Sequence, residues 1–374
     1  MWSVWKMITS GTDERRSSMT PYAVILAGGK GKRFWPYSRS GKPKQFLPIV
    51  GDRPMIRQTV DRIRSLIPSR NILVVTGSDL LGQVRESVPE IPEDNILLEP
   101  VGRNTAPCIA WASRIIASRN PDASIAVLAS DHFIPDAEAF CALMGAALRF
   151  SASGRYLLTL GIRPTRPETG YGYLRIGSSI PCEESAAVHH VDRFVEKPDQ
   201  TRALEYLASG RYLWNSGMFV FSAQAINQAF ETLCPEIHAI VSEIVLSGNN
   251  PSVIDRLFPT LPDISIDYAI MERSDRIAAF PVDFQWADVG SWDALIPFVD
   301  ESESGNRIQG GHVLIQCRNT FVTGHDRTVV GIGIEDLIIV DTKDALLVCR
   351  RDLAQKVNEV VGILSKNPDT EHLV

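Results

Sequence analysis

Short apolar runs that end in glycine-rich or charged turns alternate with stretches of helical spacing, and this alternation constrains the fold more than any other feature of the chain. The runs are Tyr22 to Ala27, Asn71 to Thr76, Ser124 to Ala129 and Tyr156 to Leu160. Between them, Pro54 to Ile67 carries Met55, Thr59, Ile63 and Leu66 at helical spacing, and Ala106 to Ser118 and Ala137 to Phe150 read as further helices. A strand that is apolar on both faces needs cover on both faces. The pattern therefore predicts βαβ units, an α/β fold with a mostly parallel sheet between two helical layers. In such sheets ligands collect beyond the carboxyl ends of the strands, which here are the loops after Ala27 and Ala129.

Past about Pro297 the texture changes. Gly310 to Gln316, Thr320 to Thr323, Thr328 to Gly331, Leu337 to Val340 and Ala345 to Cys349 are short β-type runs between polar turns. They predict a small all-β module resembling a few coils of a β-helix, closed by a helix over Asp352 to Ser365. The expected division is a flexible leader over 1–19, a main domain over 20–298 and the β-rich module over 299–374.

A net charge of −6 over 374 residues supplies no basic field for a polyanion, which argues against nucleic acid as a partner. The six cysteines are scattered without zinc spacing and read as reduced thiols. No apolar run approaches the roughly 20 residues that span a bilayer, and the first residues lack the apolar core of a signal peptide. The expectation is a cytoplasmic protein with no membrane partner.

Against this acidic background, Lys30, Lys32, Arg33, Lys42 and Lys44 place five cations within fifteen positions. The loop Gly28-Gly29-Lys30-Gly31 lacks the third glycine of a dinucleotide fingerprint, and no Gly-Lys-Ser/Thr closes it as a Walker loop. What remains is a turn whose N–H groups can face an anion such as a triphosphate, or else an ordinary turn with solvated lysines. Ser130-Asp131-His132 follows an apolar strand, and Asp288 lies between Trp286 and Trp292. Two carboxylates plus substrate phosphates suit Mg2+, although either aspartate also reads as a helix cap or turn residue. Glu168 to Tyr173, Val195 to Pro198 and Trp214 to Phe219 combine amides, carboxylates, glycines and aromatic rings. That chemistry binds sugars, and each segment also has a plain structural reading.

Taken in order, these motifs resemble the nucleotidyltransferases that activate sugar 1-phosphates, most closely the bacterial mannose-1-phosphate guanylyltransferases. The matching segments are Ala27–Pro36, Lys42–Leu47, Glu99–Pro107, Ser130–His132, Glu168–Tyr173, Val195–Pro198, Trp214–Gly217 and Trp286–Trp292, within about Pro21 to Phe298. The resemblance implies a Rossmann-like domain that transfers GMP from GTP to α-D-mannose 1-phosphate by Mg2+-assisted in-line attack, releasing pyrophosphate.

By the same resemblance Arg33 holds the departing phosphates, Lys44 sits near the α-phosphate, and Asp131 and Asp288 bind Mg2+. Gly28, Gly29, Gly31, Asn104, Thr105 and Ser130 join Arg33 around the nucleotide. Lys197 meets the sugar phosphate, and Gly172, Glu196 and Asn215 face the hexose. A homodimer through the C-terminal module is implied by family habit.

The chain departs from the family pattern at Lys32, where threonine or serine is usual, and at Ala129, where a proline often stands. Residues Ser304 to Val374 are too few for the isomerase domain many relatives carry, so one activity is expected. The alternatives are the same transfer with dTTP or ATP and glucose 1-phosphate, or a non-catalytic sugar-nucleotide sensor on the same fold.

Overall fold

The computed structural model describes residues 20–29, 31–182, 187–299, 301–324 and 326–374. The leader over 1–19, Lys30 and the side chain of Lys32 lie outside that description. Strands β1 (Pro21–Leu26), β2 (Ile72–Gly77), β3 (Ile96–Glu99) and β4 (Ser124–Ala129) pair in parallel in the order β3-β2-β1-β4. The sheet continues through β5 (Leu157–Ile162), β6 (Tyr173–Ile180), β7 (Val188–Val195), β8 (Tyr212–Ser222) and β9 (Ile277–Val282) to nine strands, ordered β3-β2-β1-β4-β8-β5-β9-β7-β6. In this second half β8 runs antiparallel to β4 and β5, while β5 and β9 are parallel. Of this half the run Tyr156 to Leu160 is read from the sequence as a strand and becomes β5, whereas β6 and β7 are partly exposed and lack a continuous apolar run.

Alternate residues of β1 supply opposite faces. Ala23 and Ile25 pack with helices α1 (Met55–Ile63), α2 (Leu81–Ser87) and α4 (Ala137–Ser151), and Tyr22 and Val24 pack with α3 (Thr105–Arg119). Helix ends follow local chemistry. Asn104 caps α3 by accepting from Thr105 N at 3.0 Å, and Asp136 caps α4 through Ala139 N at 2.9 Å, each cap contributing about 1 kcal/mol. Helix α5 (Gln200–Ser209) is capped by Asp199 and ends at Gly210, whose φ of 64° suits a residue without Cβ. Helices α6 (Ala223–Leu233), α7 (Pro235–Leu246) and α8 (Pro251–Leu257) complete the layer beside α3.

The C-terminal module comprises β10 (Arg307–Gln309), β11 (Val313–Ile315), β12 (Phe321–Gly324), β13 (Val330–Ile332), β14 (Leu337–Asp341) and β15 (Leu346–Arg350). Strands β10, β12 and β14 stack in parallel, as do β11 and β13, so successive coils lie one above another as expected. The closing segment differs from a single helix: Arg351–Lys356 is a 3-10 turn that passes into α9 (Val357–Leu364). A three-residue repeat eclipses Ala354 and Val357, and both are buried. They join Phe34, Trp35, Val289 and Trp292 in one core with Phe321 and Ile338, so the module packs directly on the glycine-loop region. No helix among the described residues is long and apolar enough to cross a membrane.

Candidate active site

The chain leaves β1 at Ala27, and Gln45 fixes the path of the glycine loop by donating from Nε2 to the carbonyls of Ala27 and Gly29, at 3.0 and 2.8 Å. Gly31 has φ of 58°, and a Cβ there would lie 2.8 to 2.9 Å from Lys44 side-chain and backbone atoms. Glycine is therefore needed for both conformation and space. Lys44, 8% exposed, reaches across the end of the sheet. Its ammonium lies 2.9 Å from Asp131 Oδ2 and donates to the carbonyls of Asp288 and Val289 at 3.1 and 2.7 Å. One cation thus ties the glycine loop, the end of β4 and the 286–292 segment together.

These residues line a cleft of about 470 Å³ that includes Gly29, Gly31, Arg33, Lys44, Asp131, His132 and Asp288. Burial works against the Asp131 carboxylate, but the Lys44 ammonium holds it below its ordinary value. Burial pushes His132 down to about 4, so it is neutral at physiological pH. Its Nδ1 accepts from Trp286 Nε1 at 3.3 Å, which leaves the imidazole proton on Nε2. Asp288 Oδ1 accepts from Tyr171 OH at 2.8 Å and from Gly290 N at 3.1 Å. Burial and the adjacent Asp288 raise the Tyr171 phenol, keeping it a donor.

Among the described residues no group of three or more acidic, histidine or cysteine side chains is arranged to hold a metal ion. Asp131 and Asp288 on one cleft are a two-carboxylate set, which fits a hard cation that takes its remaining ligands from phosphate and water.

A second cavity, about 410 Å³, shares Gly29, Asp131 and His132 with the first and adds Gly28, Glu99, Asn104, Thr105 and Asp267. Asn104 (φ 63°) turns the chain into α3, and Thr105 Oγ1 accepts from Ile266 N at 2.9 Å. Glu99 lies on its floor, raised to about 7 by burial against a lowering contact from Cys108, whose thiol donates at 2.9 Å.

Asn215 Nδ2 donates to Asp267 at 2.8 Å, and Asn215 Oδ1 accepts from Thr159 at 2.9 Å. Burial and the nearby Glu196 raise Asp267 to about 6. A Cβ on Gly172 would run into Glu196 Oε2, so this glycine lets the carboxylate lie against the backbone. Lys197 is turned onto Glu196, at 2.7 Å.

The structure therefore brings together most of the residues singled out in the sequence: Gly28, Gly29, Gly31, Arg33, Lys44, Asn104, Thr105, Asp131 and Asp288 around two adjoining cavities, with Asn215, Gly172 and Glu196 reached through Asp267. Ser130 and Lys197 are the exceptions. Ser130 is buried behind the cleft, where its carbonyl accepts from Thr59, and Lys197 is turned onto Glu196 and lines neither cavity. Sequence reasoning missed Gln45, Asp267 and the roles of Tyr171 and His132. It also missed Gln355 and Asn358 from the C-terminal module, since Gln355 Oε1 accepts from Arg33 at 3.1 Å and Asn358 lines the first cleft. Gln45, His132 and Tyr171 carried a signal, through the motifs that contain them.

The sequence model of the nucleotidyl transferase family matches residues 22–304, and that of the MannoseP isomerase/GMP-like beta-helix domain matches residues 310–364. A mannose-1-phosphate guanylyltransferase of Klebsiella pneumoniae is 38% identical over 355 residues, covering 93% of this chain and 75% of that protein. The mannose-1-phosphate guanylyltransferase RfbM of Salmonella typhimurium is 39% identical over 358 residues, covering 93% and 73%. A crystal structure from Thermus thermophilus, named as a mannose-1-phosphate geranyltransferase, superposes with a TM-score of 0.83 at 35% identity, covering 93% of this chain and all of that one.

Proposed function

The chain belongs to the nucleotidyl transferase family, and from that premise we propose that it transfers GMP from GTP to α-D-mannose 1-phosphate, giving GDP-mannose and pyrophosphate. The observation that carries the reading is Lys44. It is buried and bound at once to Asp131 and to the backbone beside Asp288, at the foot of a glycine loop, where a triphosphate meets both cation and carboxylates.

The transfer needs no covalent nucleophile. A sugar-phosphate oxygen attacks the α-phosphorus of GTP in line, its bond to phosphorus forms as the bond to the bridging β-phosphate oxygen breaks, and pyrophosphate leaves. The protein holds two anions that repel each other and spreads their charge, which lowers a barrier by about several kcal/mol. The N–H groups of Gly28, Gly29 and Gly31 and the Arg33 guanidinium take the phosphates that leave, with Ser130 backing the nucleotide site. Lys44 balances the α-phosphate. Asn104 and Thr105 border the nucleoside. Lys197, whose side chain is 59% exposed, turns from Glu196 to the sugar phosphate, while Glu196, Asn215 and Gly172 receive the hexose hydroxyls. Asp131 and Asp288 would hold Mg2+, which would supply charge neutralisation to the phosphates.

The same reading makes 20–298 the transferase domain and 299–374 the accessory module, in a cytoplasmic protein. It also makes the molecule a homodimer through that module. In support, Val313, Ile315, Val330 and Ile332 on β11 and β13 are 47 to 64% exposed, an apolar face suited to a second copy. The decisive experiment is pyrophosphate release from four nucleoside triphosphates with mannose or glucose 1-phosphate, with and without Mg2+. Turnover that prefers dTTP or ATP with glucose 1-phosphate would sink the assignment of substrate, and no turnover with any pair would sink the enzyme reading.

A further inference from the structure

The phosphate cleft has a wall that comes from the C-terminal module. Gln355, in the 3-10 turn before α9, accepts from Arg33 Nη1 at 3.1 Å and donates to Ser291 Oγ at 3.3 Å. Two elements therefore fix its amide. The turn itself is anchored, because Ala354 and Val357 are buried against Phe34 and Trp35, the residues that directly follow Arg33. Trp35 Nε1 further donates to the Leu373 carbonyl at 2.7 Å, near the end of the chain. Among the described residues Arg33 makes its hydrogen bond to this neutral amide and has no carboxylate paired with it.

The choice of a neutral acceptor matters physically. A guanidinium has five N–H donors, so one bond to an amide fixes its plane and leaves the others, with the full charge, for an anion. A carboxylate in the same place would hold the arginine equally well but cancel the charge the anion needs. An apolar residue would leave the charge and lose the aim.

We propose that Gln355 is a positioning residue for Arg33, and that the C-terminal module thereby takes part in binding the pyrophosphate portion of the substrate. The inference rests on the assignment of this cleft to the triphosphate. It makes the module part of the site and not only a platform for assembly.

The test is calorimetric binding of inorganic pyrophosphate with Mg2+ to the full chain, to Gln355→Met and Gln355→Glu, and to each of these combined with Arg33→Met, with thermal melts alongside. Loss of aim in Gln355→Met weakens pyrophosphate about threefold to tenfold. Gln355→Glu keeps the shape and the acceptor, so a purely structural role predicts near-normal binding. The proposal predicts the reverse, a loss above about tenfold that shrinks as salt is raised. In the Arg33→Met background neither change weakens binding further. Wild-type affinity in Gln355→Glu, equal losses with and without Arg33, or absence of pyrophosphate binding by the unmodified chain would each overturn it. The functional reading is judged separately by turnover: a chain that uses GTP without this coupling sinks the Gln355 proposal alone, and coupling without GTP turnover sinks only the substrate assignment.

Discussion

Lys44 and Asp131 form a 2.9 Å ion pair at the end of the central sheet, with the ammonium also bound to the carbonyls of residues 288 and 289. Removing one partner of so enclosed a pair leaves the other charge uncompensated. Lys44→Met is expected to lower the melting temperature and to slow turnover on the order of 100-fold. The sign of the pH dependence follows from Asp131, whose folded carboxyl is held low. Its stabilisation is present above the unfolded carboxylate pKa and is lost as pH falls through the folded value. The gap in melting temperature between wild type and Lys44→Met should therefore be full at neutral pH and close on acidification. A gap that is constant down to strong acid refutes the pairing.

Asp131→Ala and Asp288→Ala are each expected to abolish turnover with the fold retained, and their effects should not add, because both are proposed to hold one cation. Steady-state rates of the two singles and the double at varied Mg2+ decide the matter. A double mutant worse by the product of the separate losses would mean two independent sites.

Tyr171 donates to Asp288 without lining the first cleft, so Tyr171→Phe should keep the melting temperature within about 1 to 3 °C while loosening that carboxylate. We expect the Mg2+ concentration for half-maximal rate to rise several-fold, with a smaller change in the rate at saturation. An unchanged Mg2+ titration removes Tyr171 from the positioning of Asp288.

Lys197 and Glu196 should fail differently. Lys197→Met is expected to weaken mannose 1-phosphate strongly and slow the chemical step, with GTP affinity little changed. Glu196→Gln should relax discrimination among hexose 1-phosphates more than it slows mannose transfer. If they are merely an exposed pair, contributing under about 1 kcal/mol, both variants will show normal kinetics with every sugar.

Glu99 predicts a pH dependence of the opposite sense. Its folded pKa is raised to about 7 from 4.5, so between those values the folded chain holds a proton that the unfolded chain has lost. Stability from this group falls as pH rises through that window. Glu99→Gln should flatten the fall and melt higher than wild type at pH about 8. Parallel melting curves across the window would show that Glu99 is ionised in the folded protein.

The sequence by itself determined the parallel half of the sheet, because buried strands covered on both faces must read as continuous apolar runs, and β1, β2 and β4 do. It also determined the local chemistry of each loop, since glycines, prolines and charges act over a few residues. Gly31 is an example, as its backbone angle demands glycine whatever surrounds it. Only the tertiary structure decided the rest. Residues 44 and 288 are 244 positions apart, and nothing local to either says that they meet. Residues 33 and 355 are 322 apart, and their contact exists because a shared core joins the C-terminal turn to the segment after the glycine loop. Asp267 acquires its raised pKa only from burial beside Glu196, a property of the assembled fold and not of its neighbours in the chain. Local sequence sets backbone conformation and burial pattern, whereas charge pairing and desolvation depend on which distant segments the packed core brings together.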